Sequence, residues 1–175
     1  MIEYACLART EALNIEPSNM SVKRYNSSLR NLTYRLRAFR DSLPRLLEDA
    51  VRSKEDVIIS AIANDQLYRR GIEGRGIKIM DYEPYTKATI KIKKKKGQPT
   101  TRVTLRDTGS FHKSMFLVFD SEGFYVTSSD EKTGKLVARY GETIFRLTDE
   151  NFNRILNKHI RRELVKQLKK AVRKR

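Results

Sequence analysis

His112, His159 and Cys6 are the only histidines and the only cysteine in this 175-residue chain, so nucleophilic or metal-assisted chemistry has few side chains to draw on. A Ser-His-Asp or Cys-His arrangement needs a base held beside a nucleophile, and no stretch of local sequence recommends one. His112 could act as a base, and nuclease-like hydrolysis would gain support only if Asp107 and His112 converged on a metal ion. A lone histidine more often packs than reacts, and no group of His, Cys, Asp and Glu has metal-ligand spacing. Paired acids stand at Asp130-Glu131 and Asp149-Glu150, but one pair precedes a turn and the other opens a helix, where the N-terminal dipole favours carboxylates. Gly71, Gly74 and Gly76 lack both the Gly-Lys-Ser/Thr ending of a phosphate loop and the glycine order of a dinucleotide fingerprint, and are expected to form an exposed loop. The residues thus predict no catalytic, cofactor-binding or metal-binding set, and a non-enzymatic role.

What the chain does offer is positive charge. Lysine and arginine number 37 against 21 acidic residues, a net charge of +16. Such an excess repels like copies and attracts DNA, RNA or an acidic protein face. Lys91 and Lys93, Lys94, Lys95 and Lys96 form a compact tract, with Lys87 nearby, that suits sequence-blind neutralisation of phosphates but also suits a solvated helix end. Arg161, Arg162, Lys166, Lys169 and Lys170 load the last helix after its opening acid pair against the single acid Glu163, which exceeds what solubility requires. A polyanion and an acidic protein partner fit that pattern equally; a membrane-surface helix fits it less well. By contrast, the middle of the chain, from Leu105 to Glu150, is slightly acidic.

The elements that must carry these charges read as a small α+β domain over residues 21–175, preceded by an arm over residues 1–20. From Ser21, the residues Leu29, Leu32, Leu36, Phe39 and Leu43 recur at spacings of three and four, which predicts a helix that Pro44 interrupts or kinks. Leu47, Val51, Ile58 and Ile62 continue or restart it, with Ser53 as an N-cap and Asp56 in the first turn, so that residues 21–68 are helical. A mixed region follows over 77–130. In it a short helix runs from Pro84 to Gly97 with Tyr85, Ala88 and Ile92 on one face, and an antiparallel hairpin joins Phe111 to Phe119 and Phe124 to Ser128 through Asp120-Ser121-Glu122-Gly123. Phe111, Met115 and Leu117 would face a core. Leu136 and Val137 fit a short helix ended by Gly141. Finally, Thr148 caps a helix over about 149–172 whose candidate core residues, Phe152, Leu156, Ile160, Leu164 and Leu168, recur every fourth position with Val172 after them. No stretch has the apolar length of a membrane span, and Glu3, Arg9 and Glu11 fall where a signal peptide needs an apolar run. No membrane association is therefore expected, and synthesis in a cytoplasm-like compartment is.

Taken as one block, Tyr85, Thr89 and Ile90, the lysine tract, Gly97-Gln98-Pro99, Leu105, Asp107-Thr108-Gly109, Phe111 and Ser114 follow an order that resembles the phage virion-morphogenesis and tail-completion proteins of the neck. The likeness continues through Gln66-Leu67-Tyr68, Tyr140-Gly141, Ile144-Phe145 and Leu147, covering roughly residues 60 to 170. It implies a small antiparallel sheet flanked by helices, a closed ring of copies, no catalytic residues and no cofactor. The implied partners are portal or connector proteins, tail proteins and packaged DNA on its exit path; the implied location is the virion neck or tail region, reached from the host cytoplasm during assembly. Asp107, Thr108 and Gly109 form the family-motif turn. The arm through Met20 lies outside the likeness, and the last helix is more basic than the likeness requires. From a different class, a free basic nucleic-acid-binding protein would use the same lysine tract and terminal helix.

Overall fold

A computed structural model describes residues 19–173 apart from Glu122, with side chains from Ser28 onward. The arm expected over 1–20 lies outside the described residues except for Asn19 and Met20, which open a helix. That helix, α1 (Asn19–Arg52), runs through Pro44 without ending. Proline removes one intrahelical hydrogen bond, the one to the carbonyl of Arg40, and both residues are exposed where water can take over. Ser53 is not the cap of the next helix. Its hydroxyl turns back to the carbonyl of Ala50 at 2.8 Å, and Lys54 precedes α2 (Glu55–Ser60), whose first turn does contain Asp56. The helix then widens into π-helical turns over Ala61–Arg70 and stops at Gly71, whose φ of 65° closes it in the left-handed region.

Short elements follow: α3 (Ile79–Tyr82), α4 (Lys87–Lys95) and a single turn α5 (Ser110–Lys113). α4 begins at Lys87 and not at Pro84: Thr86 caps it, accepting from the Thr89 N–H, and Gly97 ends it with a φ of 64°. Strands β1 (Met115–Phe119) and β2 (Phe124–Ser128) form an antiparallel hairpin with Leu117 opposite Val126. Its turn is closed by the Asp120 N–H on the Gly123 carbonyl at 3.0 Å and by the Gly123 N–H on the Asp120 carboxylate at 2.9 Å. The strand starts at Met115 and not at Phe111, because Gly109 (φ 92°) first turns the chain into α5. Next come α6 (Thr133–Tyr140), ended by Gly141, and a 3-10 turn over Glu142–Phe145. The C-terminal helix is continuous through α7 (Asp149–Ile155), a π-helical stretch (Leu156–Ile160) and α8 (Arg161–Arg173). The fold is α+β: a two-stranded antiparallel sheet among helices.

One apolar cluster joins Ala50 of α1 to Ile58, Ile62 and Leu67, to Met115, Leu117 and Val126 of the hairpin, and to Ile144, Ile155 and Ile160. The antiparallel pair α1 and α8 extends from it, and the Arg35 guanidinium reaches the Val172 carbonyl at 3.2 Å. Along α1 the predicted stripe is only partly covered, since Leu32, Phe39 and Leu43 are half-buried while Leu29 and Leu36 are exposed.

The C-terminal stripe requires a correction. Phe152 is 48% and Leu156 37% exposed, Val172 is exposed, Ile160 is buried, and Leu164 and Leu168 are half-buried; the inward face begins instead with Asn151 and Ile155. Strict fourfold spacing advances about 400° per step, so a stripe from 152 to 172 drifts by about 200° around a regular helix and cannot face one way.

The glycine loop is a second correction. Gly71, Ile72, Glu73 and Gly74 are buried, and only the turn from Arg75 to Lys78 is exposed. The Gly74 N–H donates to the Thr143 carbonyl at 2.8 Å, and a Cβ on Gly74 would collide with the Arg146 side chain and carbonyl. The Glu73 side chain is fully buried and accepts from the Arg75 N–H and guanidinium and from the Ile77 N–H. Burial alone would raise its carboxyl; hydrogen bonds from Thr143, Arg75 and Ile77 outweigh this and hold it below the usual range. The loop is a built turn that docks on the 3-10 segment.

Candidate functional site

The lysine tract and the Asp107-Thr108-Gly109 turn, ten residues and more apart in sequence, meet in space. α4 presents Thr89, Ile90 and Lys93 inward, while Ala88 and Ile92 point outward, the reverse of the face expected from the apolar residues; Ile92 is 54% exposed. Lys93 is 7% exposed. Its ammonium donates to Gln98 Oε1 at 3.0 Å, the Arg106 carbonyl at 2.9 Å and Thr104 Oγ1 at 3.5 Å, and lies 5.1 Å from the centre of the Tyr85 ring. Three oxygen acceptors and an aromatic face replace the water that a buried ammonium loses. Lys96 pairs with the Asp107 carboxylate, holding it below the usual range, and Gln98 Nε2 donates to the Asp107 carbonyl at 2.7 Å. The segment from Arg106 to Asp107 is thus tied at three points to α4 and the residues just after it, through Lys93, Lys96 and Gln98.

Around this knot, Tyr85 takes the Thr104 N–H on its hydroxyl at 2.9 Å. Leu105 adopts a φ of 48°, a left-handed conformation that non-glycine residues adopt at some cost, and the surrounding bonds hold it there. Tyr85, Lys93, Leu105, Gly109, Leu136 and Tyr140 line a small cavity of about 170 Å³ beside the turn. The Thr108 hydroxyl meets Ser110 Oγ at 3.1 Å and accepts from the Ser110 N–H, which sets the start of α5.

His112 lies in α5, buried at 7% exposure; among the described residues neither ring nitrogen has a partner in good hydrogen-bond geometry, and the nearest polar group acting on the ring is the Thr104 backbone. Burial, and then the positive charge of Arg106, lower its pKa to about 4, so the ring is neutral near pH 7. It packs against Phe111 at 5.8 Å between ring centres. The convergence of Asp107 and His112 that a nuclease reading would need is not seen: Asp107 is engaged by Lys96, and among the described residues no group of His, Cys, Asp and Glu could hold a metal ion.

Of the expected polyanion contacts, Lys93 is removed by burial and Lys96 is engaged by Asp107, which leaves Lys91, Lys94 and Lys95 on the outward face of α4. Arg161, Arg162, Lys166, Lys169 and Lys170 are all exposed and, with Asn157, Val165 and Arg173, line an open surface along α8 that shares no residue with the α4 knot. Among the described residues the only acid within 4.0 Å of these cations is Glu163, at 4.0 Å from Lys166.

Sequence reasoning missed a second polar centre. Gln66 is fully buried, donates to the Arg146 carbonyl at 2.9 Å and accepts from the Thr148 N–H at 2.9 Å and from Asn151 Nδ2 at 3.0 Å. It therefore fixes the start of the C-terminal helix, where Thr148 caps the Asn151 N–H. The signal lay in its position: Gln66 stands four residues after Ile62 and beside Leu67, on the buried side of its helix.

No family model, no curated protein and no solved structure matches this chain.

Proposed function

We propose that this chain is a structural subunit of a bacteriophage neck, a tail-completion protein that repeats around an axis, joins the portal end of the head to the tail, and surrounds the path of DNA. One observation supports this most. The segments whose order resembles that family, the lysine tract, Gly97-Gln98-Pro99 and Asp107-Thr108-Gly109, form one hydrogen-bonded knot whose buried lysine serves the fold and not a substrate. The exposed cations of α4 and α8 remain for contact with packaged DNA or an acidic neighbour. On this reading the work is joining: a modest core holds charged and apolar edges where other chains can meet them.

Mass spectrometry of purified particles after DNase and a high-salt wash tests it. The chain should be present at the copy number of a single closed ring. Absence from the washed particle would overturn the reading.

The alternative, a free basic nucleic-acid-binding protein, is favoured by the α8 surface, where five of the cations have almost no acidic compensation. Such a protein would bind duplex DNA alone and be missing from particles.

A further inference from the structure

The pair formed by α1 and α8 is a layer covered on one side only. Of the described side chains of α1 only Ala50 is buried, and none of α8 is. Yet from Leu29 onward α1 places an apolar residue at the first and fourth positions of three successive heptads: Leu29 and Leu32, Leu36 and Phe39, Leu43 and Leu46. One partner helix does not cover them all. Leu32, Phe39 and Leu46 are half-buried on the side turned to α8, while Leu29 and Leu36, joined by Leu47, are exposed.

The exposed residues share a direction. With 3.6 residues per turn, Leu29, Leu36 and Leu47 fall within about 20° of one another, and about 75° from the mean direction of Leu32, Phe39 and Leu46. On α8, Val165 and Val172 also fall within about 20° of each other, about 85° from the half-buried Leu164, Leu168 and Ala171. Both rotations run in the same sense and the helices are antiparallel, so the two stripes emerge on one side of the pair. All five residues are 40–46% exposed, and the Arg35 bond to the Val172 carbonyl sets Val172 level with Leu36.

A helix in a four-helix bundle touches two neighbours at roughly right angles. Here α1 and α8 supply one such contact to each other and leave the second open. Two features select another copy of this chain as the occupant. The first is area. From Leu29 to Leu47 the stripe runs ~27 Å at 1.5 Å per residue, and two helices side by side are ~20 Å wide, so stacking two pairs covers about 1,000 Å² in all, enough for a specific interface. The second is charge. Between Ser28 and Arg40, α1 carries Arg30, Arg35, Arg37 and Arg40 and no acid; from Asp41 to Arg52 it carries Asp41, Glu48 and Asp49 against Arg45 and Arg52. Two copies of α1 laid antiparallel set the cationic half of each against the acidic half of the other, whereas parallel copies would set arginines on arginines.

We propose that the open face of the α1/α8 pair is a two-fold interface, in which α1 of one copy lies antiparallel on α1 of a second and the two pairs form a four-helix bundle. The contact is isologous, so the ring of the reading above would close through other surfaces; the proposal does not rest on that reading. Arg40 is the charged residue within the stripe, and Asp41 holds it at 2.8 Å. Arg162, Lys166 and Lys169 lie about 80° beyond the valine stripe of α8, at the rim of the contact.

Sedimentation velocity of the full chain over a concentration series, at physiological ionic strength, tests the proposal. The chain should sediment as a dimer in reversible exchange with monomer. Leu36→Glu puts an unpaired charge into the contact and should weaken dimerisation roughly ten-fold or more. Arg40→Leu completes the apolar stripe and should strengthen it. Tyr34→Glu, on the far side of α1, should leave it unchanged. All three sites are exposed, so the thermal midpoint of the monomer should hardly move; Arg40→Leu decides the matter if Leu36→Glu disturbs the fold. For the orientation, Arg30→Cys and Glu48→Cys proteins, both carrying Cys6→Ser, are mixed and treated with a bismaleimide; links between the two should exceed links within either. A chain monomeric at every concentration, whose open face would then belong to a different protein, overturns the proposal. So does a dimer indifferent to both Leu36→Glu and Arg40→Leu, or a preference for links between like positions. Since purified chain alone is used, this result and the particle test fail independently.

Discussion

His112 should make the protein sensitive to mild acid. Its ring is buried beside Phe111 with no well-formed hydrogen bond at either nitrogen among the described residues, and Arg106 adds a repelling positive charge; together these outweigh the opposing pull of the Thr104 backbone. Protonation is therefore easier in the unfolded chain, where the pKa is near 6.5, than in the fold, where it is about 4. A depressed folded value means that stability is present above the unfolded pKa and is lost as pH falls through the window between the two. The full difference amounts to about 3 kcal/mol below pH 4, of which about 2 kcal/mol is lost between pH 7 and pH 5. That loss should move the urea midpoint by about 1 M for a chain of this size. Comparison with His112→Phe isolates the effect, because every other titrating group is common to the two proteins. The substitution should leave a midpoint nearly constant from pH 7 to pH 5, while the parent falls; Glu73, Asp107 and Asp130, whose carboxyls are held low, matter only in stronger acid. Parallel curves for the two proteins would show that the ring finds a partner or solvent in the fold, and would refute the reasoning.

Three further outcomes follow from the packing. Lys93→Met should cost about 1–3 kcal/mol in thermal or urea unfolding, because the carbonyl of Arg106 and Oε1 of Gln98 lose their donor, whereas Lys94→Met and Lys95→Met should stay within about 0.5 kcal/mol; equal costs along the tract would contradict the burial of Lys93. Gln66→Leu removes a donor and an acceptor at the start of the C-terminal helix and should cost about 2–4 kcal/mol, read as a lowered unfolding midpoint. Gly74→Ala should destabilise more than Gly76→Ala, since the first drives a methyl into the Arg146 backbone while the second meets only the conformational cost of a φ of 80° in open space.

How much of this was legible in the sequence depended on how local the cause was. The hairpin, the Thr148 cap and the stops at Gly97 and Gly141 are decided by a few neighbouring residues, and they stand in the fold where residue chemistry puts them. The terminal stripe was misjudged for a geometric reason: fourfold spacing resembles a helical face over two turns but swings around the axis over six. Lys93 was misjudged for a chemical one. A lysine between lysines reads as solvated, and only the later segment from Gln98 to Arg106 supplies the acceptors that bury it. The loop at Gly71 to Gly76 combined both problems, since three glycines suggest exposure while the partners that bury it, Thr143 and Arg146, come some seventy residues later.

Charge gives the two proposed contacts opposite dependence on salt. Copies of a chain with net charge +16 repel one another, and at physiological ionic strength that repulsion is screened beyond ~8 Å. If copies meet through apolar surface, salt removes the repulsion and leaves the attraction, so self-association should strengthen from 50 to 200 mM salt. Contact between α8 and duplex DNA should weaken over the same range. Neutralising phosphates with Arg161, Arg162, Lys166, Lys169 and Lys170 gives a logarithmic slope of about −4.5, and hence a loss of affinity of roughly 500-fold. Sedimentation of the chain alone and fluorescence anisotropy with labelled duplex, taken on the same preparation across the same salt series, measure both. Self-association that falls with salt in step with DNA binding would mean that copies are held together by their charges, and would refute an apolar contact between them.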